Sequence, residues 1–531
     1  MRVLRTPARL MLGAVALICL LIVTGLAQDS YVDSILYRSV GGPDAVARLS
    51  EFTSSRLYGT MELNGMSGTY ELTWQAPDRV HMVTRFPGFS LVQAWDGHMA
   101  WQTDMNGQTS PMHGFERRSY LESVYAQSYA FLFPERMPGR IEYGGVVVKD
   151  GRQYYEFLLM PLLEDTLWWY LDPHDGRLTS SLSTMDNIEI VSEYDDYRFL
   201  HGVQIAMYTH SEAPALGVVT DSWIDSIVFD PPVSADLFDP PVRIERDFVF
   251  PENSDSVTIP IRYKRGLVYV TATINGRLKA RFLVDSGASK SILNRTVVSG
   301  LNLPERGEIP ARGVAGNETV MLVSVDSIQI GSLQLVGQLA GMLDLEGLVR
   351  PGKDLPFGGI LGYDLLSRFP VLIDYKGRTL TVYNPDLAVE PSGGEEIEFK
   401  LTSQVPTVHA LIDSVAGDFL VDLGNAFGLI LHPDFVERNG LRSGFSSLSE
   451  QHATMGGIGG DVKGQSAVAT DFVLGTLCLQ SPRVYLPAKA GGLMESEEIA
   501  GNIGNRVLDR YKVLLDYKKS RLILFLGEPG D

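Results

Sequence analysis

Cysteine is nearly absent: the 531 residues carry two, Cys19 and Cys478. Cys19 lies inside an N-terminal apolar run, so removal of that run would leave no internal disulfide, and an oxidising compartment would be tolerated without being used. The nine histidines show neither HExxH spacing nor paired CxxC elements nearby, which leaves a metal site unsupported. Positive charge is also short. With 45 Lys and Arg against 64 Asp and Glu, the formal charge is −19, and nucleic acid or anionic lipid is a poor partner for such a surface. Tryptophan is missing from the whole second half, since all six lie before residue 240. No low-complexity run interrupts the chain, and 45% hydrophobic with 21% charged residues places it among ordered globular proteins.

The chain begins with three arginines, Arg2, Arg5 and Arg9, ahead of an apolar run from Leu10 to Val23 and the small residues Gly25 and Ala27. That pattern predicts a secretory signal, residues 1–27, cleaved after Ala27; the run falls short of the ~20 apolar residues that a spanning helix needs. A periplasmic or secreted protein is expected, with a mature charge near −22 from 42 basic and 64 acidic residues. The length suggests three or four domains at ~100 to 200 residues each. The tryptophan boundary and the proline- and acid-rich stretch around "DPPVSADLFDPPVRIERDFVFPENSDSVTIP" divide it into a β-rich domain over 28–240, a linker over 241–262 and a second half from 263.

In the first half, "PDAVARLSEFTSSR" places Val46, Leu49 and Phe52 at helix spacing. The period then becomes two. Tyr70, Leu72 and Trp74 alternate with polar residues, and Asp96-Gly97 and Asp175-Gly176 each sit between apolar segments as hairpin turns do. A long antiparallel meander with few helices is the expectation. Stretches such as "GTYELTWQAPDRVHMVTRF" and "LVQAWDGHMAWQ" resemble the periplasmic lipoprotein-carrier (LolA-like) superfamily over roughly residues 40 to 238. That resemblance implies a curved sheet around an apolar cavity for acyl chains, hence a lipid or lipoprotein ligand; aromatic strands that only fill a β core are the alternative.

From 263 onward the chain repeats itself. "FLVDSGAS" (282–289) returns as "FLVDLGNA" (419–426), and "RFPVLIDYK" (368–376) returns as "RYKVLLDYK" (510–518) with six of nine positions identical. Matching points are offset by 137 at Asp285 and Asp422, 144 at Gly331 and Gly475, and 142 at Asp374 and Asp516. Three ordered matches at near-constant offset mark an internal duplication, giving lobes at 263–389 and 390–531. Each copy reads as short strands between glycine turns with one late helical segment. Two such lobes would face each other most simply about a pseudo-two-fold axis, bringing Asp285 and Asp422 together. Two carboxylates a few ångströms apart cannot both ionise cheaply. They share one proton, leaving a base that activates water and an acid that protonates a scissile carbonyl, without nucleophile, metal or cofactor.

Residues 263 to 527 resemble two fused retropepsin-like aspartic protease domains. The family's Asp-[Ser/Thr]-Gly-Ala signature matches Asp285, Ser286, Gly287 and Ala288, and its apolar-apolar-glycine element matches Ile360, Leu361 and Gly362. The second copy departs from the pattern: Leu423 stands where Ser or Thr is usual, Asn425 replaces the small residue, and Asn502 precedes Ile503-Gly504. "RGVAGNE" (312–318) and "MGGIGGD" (455–461) occupy the places of the family's flaps, without an obvious flap tyrosine. Asp374 and Asp516 read as solvated turn residues. The resemblance implies a mainly β, single-chain aspartic endopeptidase, monomeric because one chain completes the site, with catalytic residues Asp285 and Asp422 and a peptide or protein substrate. The alternative is a non-catalytic lipid- or lipopeptide-binding protein on a degenerate protease scaffold.

Overall fold

The computed structural model describes residues 31–241, 246–313, 316–346, 354–387, 391–449, 453–488 and 492–526; the N-terminal apolar run and its cleavage point lie outside them. The protein is mainly β. Its first half is one antiparallel sheet of thirteen strands, from Ser54–Leu63 to Val218–Phe229, in which the first strand pairs with the last and neighbours in sequence are neighbours in space, except that Thr109–Pro111 and Gly139–Lys149 form the two opposite edges. The Asp-Gly turns reverse the chain where expected, at 96–99 and 172–177. A helix at Pro43–Glu51 follows a helix at 31–39. A further helix, Gly114–Gln127, lies against the sheet and buries Tyr120, Leu121, Val124 and Tyr125 in a cluster with Trp74, Trp95, Phe157 and Trp169. Four of the six tryptophans are buried, so most of the indole that the sequence concentrates here is core packing.

The second half holds a nine-stranded sheet, a ten-stranded sheet and a six-stranded sheet to which both copies contribute. Five consecutive strands recur in the same order: Leu333–Leu343, Ile292–Asn294, Phe357–Leu361, Leu278–Val284 and Leu267–Ile274 in the first lobe, and Arg483–Pro487, Leu429–Leu431, Ile499–Ile503, Val415–Val421 and Val405–Ile412 in the second. Each lobe also has two short helices rather than one, Arg295–Val298 and Tyr363–Leu366 against Pro433–Arg438 and Asn505–Leu508. The duplicated segments meet in the six-stranded sheet. Val371–Asp374 pairs antiparallel with Tyr511–Asp516 in a register that sets Leu372 opposite Leu514, its equivalent at offset 142, with Val371 opposite Leu515 and Ile373 opposite Val513. This pairing joins the two lobes in one sheet.

Two sequence expectations need correction. The described residues 246–262 are not a linker: Phe248–Val249 pairs with Leu335 and Gln334, and Ser256–Pro260 is an edge strand of the six-stranded sheet, while 242–245 of the expected 241–262 linker lie outside the described residues. Proline and acidic residues masked a strand alternation in which Val257 and Ile259 point into the core. Asp516 is not solvated either. It is 1% exposed and takes Arg521, because its strand lies inside the shared sheet rather than at a free turn. Asp374 is partly buried and accepts from Lys512 and the Gly377 amide.

Candidate active site

Each candidate aspartate sits just past the end of a central strand. Leu278–Val284 and Val415–Val421 run parallel to Phe357–Leu361 and Ile499–Ile503, and the amides of Asp285 and Asp422 donate to Leu361 O at 3.0 Å and Ile503 O at 2.9 Å. After the aspartate the chain turns at glycine, and the Gly287 and Gly424 amides donate back to Asp285 Oδ1 and Asp422 Oδ1 at 2.8 and 2.9 Å. The turns approach each other so closely that no Cβ fits. At Gly287 it would stand 2.6 Å from Asp422 Oδ1, and at Gly424 it would stand 2.3 Å from Asp285 Oδ2. This explains why glycine survives in both copies.

The structure brings Asp285 and Asp422 together: a Cβ built on Gly287 would touch both carboxyl groups, Asp422 Oδ1 at 2.6 Å and Asp285 Oδ1 at 3.2 Å. Burial and the neighbouring Asp422 charge push the Asp285 carboxyl up to about 8. Burial also raises Asp422, but hydrogen bonds from Asn502, the Gly424 amide and Asp285 itself oppose the shift. Both shifts favour the protonated forms, so the pair resists losing its last proton.

The hydroxyl that survives in the first copy is used fully. Ser286 is completely buried, donates to Val421 O at 2.6 Å and accepts from the Leu423 amide at 3.0 Å, so it ties the first lobe to the second behind the aspartates. Leu423 has no such bond to offer. Its side chain, 0% exposed, packs in the main core with Val421, Leu429 and Leu431, while Asn505 Nδ2 takes its carbonyl at 2.6 Å. Ser286→Ala would strand two buried backbone groups at once, and unfolding by denaturant should register a loss of about 2 to 4 kcal/mol.

Above the pair, two hairpins meet. Glu305–Arg312 with Asn317–Ile330, and Ala453–Gly457 with Gly460–Val468, carry their tips toward each other. A Cβ at Gly313 would stand 2.2 Å from Ile458 O, and one at Gly459 would stand 2.6 Å from the Gly316 nitrogen. The N-terminal sheet closes the remaining side. Asp186, in the turn between Leu178–Met185 and Ile188–Leu200, accepts from Arg312 at 3.2 Å and from Ser496 at 2.7 Å, linking a residue beside each hairpin or lobe to one carboxylate. Asn106 pairs with the Leu339 backbone, and Met66, Phe86 and Phe89 pack on Leu322 and Leu339. The resulting cavity, about 590 Å³, is lined by Asp285, Asp422 and Ile360 together with Met105, Phe115 and Met185 of the N-terminal domain.

Sequence reasoning missed this N-terminal wall, which depends on domain docking that no local pattern encodes. It noticed Asn502 only as a departure and did not mark His432. Asn502 Nδ2 donates to Asp422 Oδ2 at 2.8 Å, and His432 Nε2 lies 2.9 Å from Asn502 Oδ1. Among the described residues no group of three or more His, Cys, Asp or Glu side chains could hold a metal ion, and no helix is long and apolar enough to cross a membrane.

Residues 270–365 match the family model described as aspartyl protease. A search of curated proteins finds no match. Among solved structures, the chain is similar to the aspartic proteinase from Irpex lacteus, at 13% identity over 51% of this chain and 98% of that one, with a TM-score of 0.34. It is also similar to a LolA superfamily protein from Nitrosomonas europaea, at 8% identity over 37% and 96% of the two chains with a TM-score of 0.27, and to a DUF1329 family protein from Desulfovibrio piger, at 10% identity over 36% and 92% with a TM-score of 0.28.

Proposed function

We propose that this chain, whose residues 270–365 match the aspartyl protease family, is a single-chain aspartic endopeptidase in which Asp285 and Asp422 activate water against a peptide bond. The observation that carries the reading is the adjacent carboxyl pair, held from behind by paired glycine turns and Ser286 and open in front to a mainly apolar cavity. In this mechanism the carboxyl that keeps the proton gives it to the scissile carbonyl oxygen. The carboxylate takes a proton from the water that attacks the carbonyl carbon, and a tetrahedral diol forms. Collapse of the diol returns a proton to the leaving nitrogen. The two hairpins cover the substrate, and the N-terminal domain supplies one wall of the cleft; a periplasmic or secreted location and a peptide or protein substrate complete the reading.

The pH dependence tests it. Only the singly protonated pair is active, so cleavage of an unfolded protein should rise and then fall with pH. In acid the second carboxyl takes a proton and the base is lost. Toward alkali the shared proton is lost through an upper limb that burial and mutual repulsion raise far above the ordinary carboxylate range, toward 8. A rate that keeps climbing above pH 9 would point to a different catalytic group.

A further inference from the structure

The two aspartates occupy equivalent places but unequal surroundings. The parallel pairing sets Ile360 beside Leu283 and Asn502 beside Leu420, so Asn502 is the counterpart of Ile360, each two residues before a glycine, Gly362 or Gly504. Ile360 has no polar atom to offer. Asn502 gives Asp422 Oδ2 a hydrogen bond at 2.8 Å, in addition to the Gly424 bond on Oδ1. Among the described residues, Asp285 receives no bond from a side-chain amide or hydroxyl.

An asparagine side chain can present either its nitrogen or its oxygen, and here a second residue decides. His432 is 1% exposed, at the start of the helix Pro433–Arg438, with its Nε2 at 2.9 Å from Asn502 Oδ1. Burial, with the Arg312 cation acting in the same direction, lowers its imidazole to about 4. The buried His432 Nδ1 has no hydrogen-bond partner among the described residues, which places the proton of the neutral ring on Nε2, where it is donated to Asn502 Oδ1 and leaves Nδ2 facing Asp422. The groups that bear on the pair's charge are then Asp285 and Asp422 themselves, His432 behind Asn502, Arg312 beside His432, and the buried phenol of Tyr517 near Asp285.

Resting on the peptidase reading, we infer that Asn502, oriented by His432, is a positioning residue that fixes the sense of the pair: Asp422 is the base that takes the proton of water, and Asp285 is the acid that protonates the scissile carbonyl. A donor that cannot accept stabilises the charged form of the carboxylate it touches and so steers the shared proton to the other one. The unlike second copy thus acts as a polarised half of the site.

Three variants test this. Asn502→Ile copies the first lobe. It should move the acid limb of the kcat/KM profile upward by about one pH unit, because Asp422 loses the bond that favours its charge, and it should lower kcat at pH 4 about tenfold with KM nearly unchanged. His432→Leu should shift the limb in the same direction, and His432→Gln, which keeps a donor, should restore it. A residue that only packs would change the melting temperature without moving the limb. Carboxyl titration by NMR of aspartate-γ-13C protein reads the same effect without turnover, following the resonance that disappears in Asp422→Asn. An upward shift of that titration in Asn502→Ile supports the assignment even if no substrate is cleaved, so failure of the peptidase reading is separable. An unshifted titration overturns it. If Asn502→Ile does not fold, Asn502→Ser, whose hydroxyl is too short to bridge Asp422 and His432, gives the same reading.

Discussion

Asp285→Asn is expected to abolish cleavage of an unfolded protein substrate, lowering the rate by roughly 10³-fold or more. Asparagine is nearly isosteric and keeps the turn, since its side-chain oxygen can accept the Gly287 bond that Asp285 Oδ1 now accepts. It cannot deliver a proton and regain it. Stability has a sign as well. A carboxyl whose folded pKa stands above its unfolded value favours the fold most at low pH, and that contribution is lost as pH rises from the ordinary carboxylate range toward 8. The variant has no such titration at this position. Its melting temperature should sit close to that of the parent near pH 4 and equal or exceed it near pH 8. Wild-type rates in Asp285→Asn would assign the activity elsewhere. A parent protein that cleaves nothing across pH 3 to 8 would favour a binding protein on a protease scaffold.

Leu423→Ser, which writes the family's usual residue into the second copy, should make the protein worse. The side chain is fully buried within the main core, beside Val421, Leu429 and Leu431. Removing its methyl groups should cost about 2 to 4 kcal/mol from lost packing and the cavity left behind, and the new hydroxyl would need a partner in a region that has repacked around leucine. Denaturant midpoints and a peptidase rate, measured beside the parent, are both expected to fall. A gain in both would mean that the hydroxyl finds a bond across the lobes and that leucine is a poorly packed substitute there.

Much of this arrangement was legible in the sequence because repetition is a non-local signal that survives without a structure. Two "FLVD" segments and two "VL-DYK" segments at near-constant offset are enough to pair the lobes and to single out two aspartates from the chain's many carboxylates. The meander was legible from alternation and Asp-Gly turns. What escaped was whatever depends on what packs against what. The helix Gly114–Gln127 carries Phe115 into the cleft and its other apolar residues onto the sheet; with apolar groups serving two surfaces, no single clean stripe announces it. The edge strand at 256–260 hid behind prolines, and Asp516 looked solvated because a lysine-rich turn follows it, although its strand is sandwiched between others. Asn502 was visible only as an oddity, since its meaning lies in a carboxylate eighty residues away in sequence.

The Ser286 bridge shows what having two lobes on one chain makes available. In a homodimer every substitution is written twice, so a leucine in place of the hydroxyl residue would delete both cross-lobe ties together, and an asparagine beside one carboxylate would stand beside both. Here Ser286 ties the turns behind the aspartates, beside the Tyr263–Asp509 and Tyr375–Asn505 hydrogen bonds between the lobes, while its counterpart in the second lobe is Leu423, a piece of core. Two lobes on one chain need not copy each other, and substitution can act on the surroundings of Asp285 and Asp422 separately.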